Sequence, residues 1–237
     1  MTLIAPVVLR DMIPRSPVFT TGDVVAATGA TADTTSRALS RLAQRGLITR
    51  LVRGLWGATR HPDFSPYAVV PFLLARAANG SRDAPEGYVS FISALHLHGM
   101  LSQIPGAIHV AVSEQRAAVR TPTGVYLFHR MQPELLGGHH AGDAYGRFEL
   151  ATPTKALFDT LYLSARRGRQ FSRLPELELP RTVTDREMQR WIQRIRSDPL
   201  RGAVEGRWGQ LRARHLRGRG RRSDRAAKGV NRRSAGR

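Results

Sequence analysis

The sequence predicts an α+β protein: an N-terminal helix–turn–helix with two short strands, a mixed α/β body and an Arg-rich end. Three observations predict it. Residues 20–58 run helix, tight turn, helix, glycine stop and two short strands. From about residue 66 to 196, strand-like runs alternate with helical ones. From about residue 205, apolar residues thin out and arginine dominates. The boundaries that follow are 1–60, 61–200 and 201–237.

Residues 3–13 predict a first helix, with Pro6 tolerable only in its first turn. Thr20 or Thr21 can N-cap a second helix from about Asp23 to Thr28, and an early Asp suits the helix dipole. Gly29-Ala30 is the turn. Thr31 caps a third helix, Ala32 to Arg45, with Gly46 as its left-handed stop. At about 100° per residue the third helix has two faces. Thr35, Ala38, Leu39, Leu42 and Ala43 point inward. Asp33, Thr34, Arg37, Arg41 and Gln44 point outward, with Ser40 at the margin. Residues 47–51 and 55–58 then predict two strands joined at Val52-Arg53-Gly54.

This is the pattern of a winged helix-turn-helix, whose third helix is shaped to enter a DNA major groove. The candidate DNA-binding residues are Thr34, Arg37, Ser40, Arg41 and Gln44 on that helix, with Arg50 and Arg53 on the wing. Short hydroxyls can meet base edges. Arginine can fork onto guanine or neutralise phosphate, and the sequence does not choose. A wing that only packs is the competing reading.

In the body, residues 61–70 lead into a helix over Pro66–Ala78, and 79–87 form a polar loop. Tyr88-Val89-Ser90 leads into a helical run over 91–100, with Gly99 as its stop. Ile108–Val112, Val125–Arg130 and Arg147–Leu150 predict strands. Thr152-Pro153 opens a helix carrying Leu157, Phe158, Leu161 and Tyr162. Residues 183–196 predict a helix with a Thr184/Glu187 capping box.

The net charge of +19 over 237 residues points to a polyanionic partner. It is unevenly placed. Residues 1–165 hold 14 Arg and 1 Lys against 11 acids, a net +4; residues 166–237 hold 21 Arg and 1 Lys against 7 acids, a net +15. Lysine occurs only at Lys155 and Lys228, the bias of a GC-rich genome. The Arg-rich end buries too little to offset its ordering entropy, so disorder is expected there. It either adds nonspecific nucleic-acid affinity or is a solvated extension.

Without cysteine there are no disulfides or thiolate metal sites. No apolar run reaches membrane-span length and no secretory signal opens the chain, so a cytoplasmic location is expected. Enzymatic readings find little support. His96 and His98 are two apart on a helix and do not share a face, so packing or capping is expected. His139 and His140 read as a loop tip, and Lys155 with Asp159 as a surface ion pair. Ser90 and Ser93 lack a nucleophile elbow, and no phosphate-binding glycine motif exists. Asp143, Glu149, Lys155 and Asp159 are the only candidates for a nuclease centre. No enzyme activity, cofactor or metal is expected. A ligand-sensing body is a further alternative.

The segments YVSFISALHLHGMLSQIP (88–105) and ELATPTKALFDTLYL (149–163), with the Arg-Gly-Leu-Trp wing strand, resemble the AbiEi family. These are antitoxins of bacterial abortive-infection toxin–antitoxin systems that also regulate transcription. The resemblance spans about residues 5–200, and the order of the three motifs carries it. It implies a winged helix that represses its own operon by binding inverted repeats in the promoter, which a dimer on double-stranded DNA would meet. Thr34, Arg37, Ser40, Arg41, Arg50 and Arg53 match the DNA-contact positions. It also implies a C-terminal domain that opposes a nucleotidyltransferase-like toxin without a stable complex. A stand-alone regulator would share these motifs, and the Arg-rich end departs from the family pattern.

Overall fold

A computed structural model of the chain describes residues 4–77, 87–142, 148–166, 171 and 176–215. The protein is α+β and divides into two compact units: Met1–Ala94 with Pro105–Thr152, and Leu95–Ile104 with Pro153–Arg237.

The first unit begins with a helix, α1 (Ile4–Pro6), that widens into a π-helical stretch over Val7–Met12. Pro6 falls in the first described turn of this helix. Next come β1 (Val18–Thr20), α2 (Thr21–Thr28), α3 (Ala32–Gln44), β2 (Thr49–Val52) and β3 (Leu55–Gly57). The strands pair antiparallel in the order β1-β3-β2. Strand β1 is absent from the sequence reading; at three residues it exists through pairing with β3 rather than through any alternation of its own. Ile4, Val8, Ile13, Phe19, Val24, Leu39, Leu42, Ile48, Trp56 and Ala58 form one buried cluster. All of them lie between residues 4 and 58, so this segment has a core of its own.

The rest of the unit holds α4 (Val70–Ala77), preceded by a 3-10 turn at Pro66–Val69, and a six-stranded sheet. Its strands are β4 (Gly87–Val89), β5 (Ile108–Val112), β6 (Val119–Thr121), β7 (Gly124–Arg130), β8 (His139–Ala141) and β9 (Glu149–Ala151). The order is β6-β7-β5-β4-β9-β8, with β5/β7 and β4/β9 parallel and the other pairs antiparallel. Helix α5 (Phe91–Leu97) follows β4 directly. The switch from strand to helix puts Phe91 at φ 56°, a left-handed conformation that is strained for a side chain of this size. The Ser93 hydroxyl fixes the turn, accepting from the His109 N–H at 2.9 Å and donating to Ala107 O at 3.2 Å. Strands β4, β6 and β8 were not foreseen. His139 and His140 therefore sit in a strand rather than on a loop tip. Most of the polar loop expected at 79–87, and Arg147 of the last expected strand, lie outside the described residues.

In the second unit, α6 (Pro153–Ala165) is buried from Thr154 to Ser164. Helix α7 (Asp185–Ile192) buries Met188, Trp191 and Ile192. Phe158 stacks on Trp191 at 5.7 Å between centroids. Thr184 caps α7 as expected, accepting from the Glu187 N–H at 3.3 Å. The capping box is incomplete, because the Glu187 carboxylate accepts instead from the Thr154 hydroxyl at 2.8 Å. Residues 198–215 form a further helix, α8. Disorder expected from residue 201 is thus corrected over 201–215. Leu200, Val204, Trp208 and Leu211 make an apolar stripe at helical spacing, with Val204 and Trp208 buried. The arginines between them masked that stripe in the composition. The expectation for 216–237 lies outside the described residues.

Candidate nucleic-acid interface

Both ends of α3 are fixed locally. The Thr31 hydroxyl accepts from the Thr34 N–H at 3.3 Å. At the other end Gly46 adopts φ 70°. Its N–H reaches Ala43 O at 2.9 Å, and the Leu47 N–H reaches Leu42 O at 3.1 Å. That pair of bonds is a Schellman cap, and only glycine adopts its geometry without strain. Helix α2 is held in the same way at its start: Thr20 and Asp23 make a reciprocal capping box, with bonds of 2.7 and 3.1 Å.

The two faces of α3 fall where the periodicity puts them. Thr35, Leu39 and Leu42 are buried, whereas Asp33, Thr34, Arg37, Arg41 and Gln44 are exposed and Ser40 is half-buried. Arg45, passed over in the sequence, is exposed too and continues the fourth-residue row Arg37–Arg41–Arg45. Arg37 pairs with Asp33, both largely exposed. Such an exposed pair adds little in water, so it holds Arg37 only weakly. The Ser40 hydroxyl donates to Ser36 O at 2.8 Å and is left able only to accept. The Thr34 hydroxyl accepts from Thr31 at 2.9 Å and keeps its own proton. Arg41 and Gln44 have no side-chain partner among the described residues.

The β2–β3 hairpin turns at Arg53-Gly54, with Gly54 at φ 75°. A bulge between Arg50 and Val52 bends it. Arg50 lies over the Trp56 ring, 5.7 Å from its centroid. The hairpin is tied to α2: Trp56 Nε1 donates to the Thr21 hydroxyl at 3.0 Å, and the Thr21 N–H donates to Gly54 O at 2.9 Å. The hairpin that bears Arg50 and Arg53 and helix α3 share one buried core, through Trp56 and Ile48 with Leu39 and Leu42.

No protein-family model matches this chain, and no curated protein does. The candidate face therefore stands on its own chemistry: an exposed cationic helix face that also carries the neutral polar Thr34 and Gln44, and two arginines on an adjoining hairpin.

The other candidate residues fall into separate groups. His139 Nδ1 contacts a Glu149 carboxylate oxygen at 2.9 Å across β8–β9, where the sequence suggested no acid partner. The His96 ring contacts Leu101 O at 3.1 Å, just beyond the end of α5, where packing or capping was expected. Lys155 and Asp159 do pair, but both are fully buried. That corrects the surface ion pair: the spacing fixes the partners, and packing around α6 removes the water. Lys155 lies 4.7 Å from the Trp191 ring centroid. Burial lowers the Lys155 pKa from its ordinary value, and Asp159 offsets part of that. Asp143 lies outside the described residues. A further pair was missed: His109 and His129 are buried on β5 and β7, with Nδ1 and Nε2 2.8 Å apart. Burial, followed by the neighbouring His129, pushes the His109 pKa down to about 3. Among the described residues, no group of three or more His, Asp or Glu side chains could hold a metal ion.

Proposed function

We propose that this protein is a winged helix-turn-helix transcriptional repressor that binds inverted repeats in its own promoter and acts as an antitoxin. One observation carries the DNA-binding half: α3 presents Arg37, Arg41 and Gln44 to solvent from a doubly capped helix, braced by a hairpin bearing Arg50 and Arg53. Arginine on such a face neutralises phosphate or forks onto guanine, and Gln44 can pair with adenine. Two copies on the two halves of an inverted repeat would match protein symmetry to operator symmetry. Such a regulator works where the DNA is, in the cytoplasm; among the described residues, no helix is long and apolar enough to cross a membrane.

The antitoxin half rests on the AbiEi-like order of motifs over residues 88–105 and 149–163, with a nucleotidyltransferase-like toxin from the same operon as its target. Footprinting the purified protein across its own upstream DNA tests the first half. Protection of paired, inverted half-sites is the expected result, and uniform, sequence-independent protection would overturn it. Co-expression with the adjacent toxin frame tests the second. Restored growth is expected, and unrelieved toxicity would leave a stand-alone repressor.

A further inference from the structure

Helix α7 and the turn after it carry cationic side chains separate from α3. Arg186, Arg190 and Arg194 recur at every fourth residue and are all exposed. On the helix that spacing stacks Arg186 and Arg190 about 6 Å apart along one face, and Arg194 follows in the turn just past its end. The opposite face buries Met188, Trp191, Ile192 and Ile195.

The nearby acids are already engaged. Asp185 accepts from Trp208 Nε1 and from Arg212, each at 2.7 Å. Glu187 accepts from Thr154. Among the described residues, none of the three arginines has a carboxylate partner. Like charges four apart repel and weaken the helix that carries them. Arg194 is also pre-positioned, its guanidinium 4.3 Å from the Trp191 ring centroid. An unneutralised pair one helical turn apart, continued by Arg194 in the turn that follows, matches the spacing of phosphates on a nucleic-acid strand. It offers point-by-point charge and little base readout.

We infer that α7 is a second, sequence-independent contact surface for the phosphate backbone of duplex DNA. This deepens the DNA-binding reading and rests on it only for the identity of the polyanion. Reading would belong to α3 and added affinity to α7.

The test measures affinity of the full chain for a random-sequence duplex between about 50 and 200 mM salt. Each neutralised phosphate contributes about 0.9 to the slope of log K against log salt. The double variant Arg186→Gln/Arg190→Gln should therefore lose about 2 from that slope, whereas Arg186→Lys/Arg190→Lys should keep it. Glutamine is as good a helix former as arginine, so the melting temperature should not fall. If it does, a Lys variant that still melts normally but loses the slope overturns the inference. An unchanged slope in the Gln variant overturns it as well. A slope lost on RNA but kept on duplex DNA overturns the choice of DNA. Failure here is distinct from failure of the α3 reading, because the position of the footprint is unaffected by α7.

Discussion

Lys155 and Asp159 show how much a single pair can hide. Removing either partner strands a buried charge, which costs about 3–5 kcal/mol. Lys155→Met and Asp159→Leu should each lower the urea midpoint sharply, while the double variant regains most of the loss. Single variants within about 1 kcal/mol of the parent would contradict full burial. The four-residue spacing made the pair legible, but its burial was not, because water is excluded by helices distant in sequence. Ser40 teaches the same at the interface. Helical phase put it at the margin correctly, yet phase is silent on its bond to Ser36 O. Ser40→Ala should accordingly leave DNA affinity within about threefold of the parent, a shift of less than ~1 kcal/mol.

At the scale of elements, α2 and α3 were readable because their signals are local. Threonine caps, a left-handed glycine and an apolar stripe all sit within a few residues of what they specify. Thr20→Ala should cost about 1 kcal/mol by thermal melting through loss of the capping box. Strand β1 and the His109–His129 pair were not readable, since both depend on which strands become neighbours. His109 titrates near 3 in the fold and near 6.5 when unfolded. Above pH 6.5 both states are neutral and the group is silent. As pH falls below that value the unfolded chain takes up a proton that the fold refuses, so stability declines until about pH 3. Unfolding free energy should therefore drop between about pH 6.5 and 5, before most carboxylates titrate. The slope should flatten in His109→Gln. A pH-independent parent over that window would contradict a buried, neutral His109.

For the whole molecule, charge was legible in amount and misleading in form. The basic end reads as solvated tail, yet 198–215 is a helix whose Val204 and Trp208 are buried. Trp208→Ala should cost about 3–5 kcal/mol, and truncation within α8 should destabilise the second unit. A truncation meant to probe the basic end alone belongs after residue 215. Most of the net charge lies beyond residue 165, whereas the proposed reader occupies the first 58, so affinity and specificity should separate experimentally. The most direct measurement is the ratio of affinities of Arg37→Ala/Arg41→Ala for the footprinted site and for a scrambled duplex of equal length. The ratio should collapse towards one with the melting temperature unchanged. A ratio equal to that of the parent protein would contradict recognition by α3.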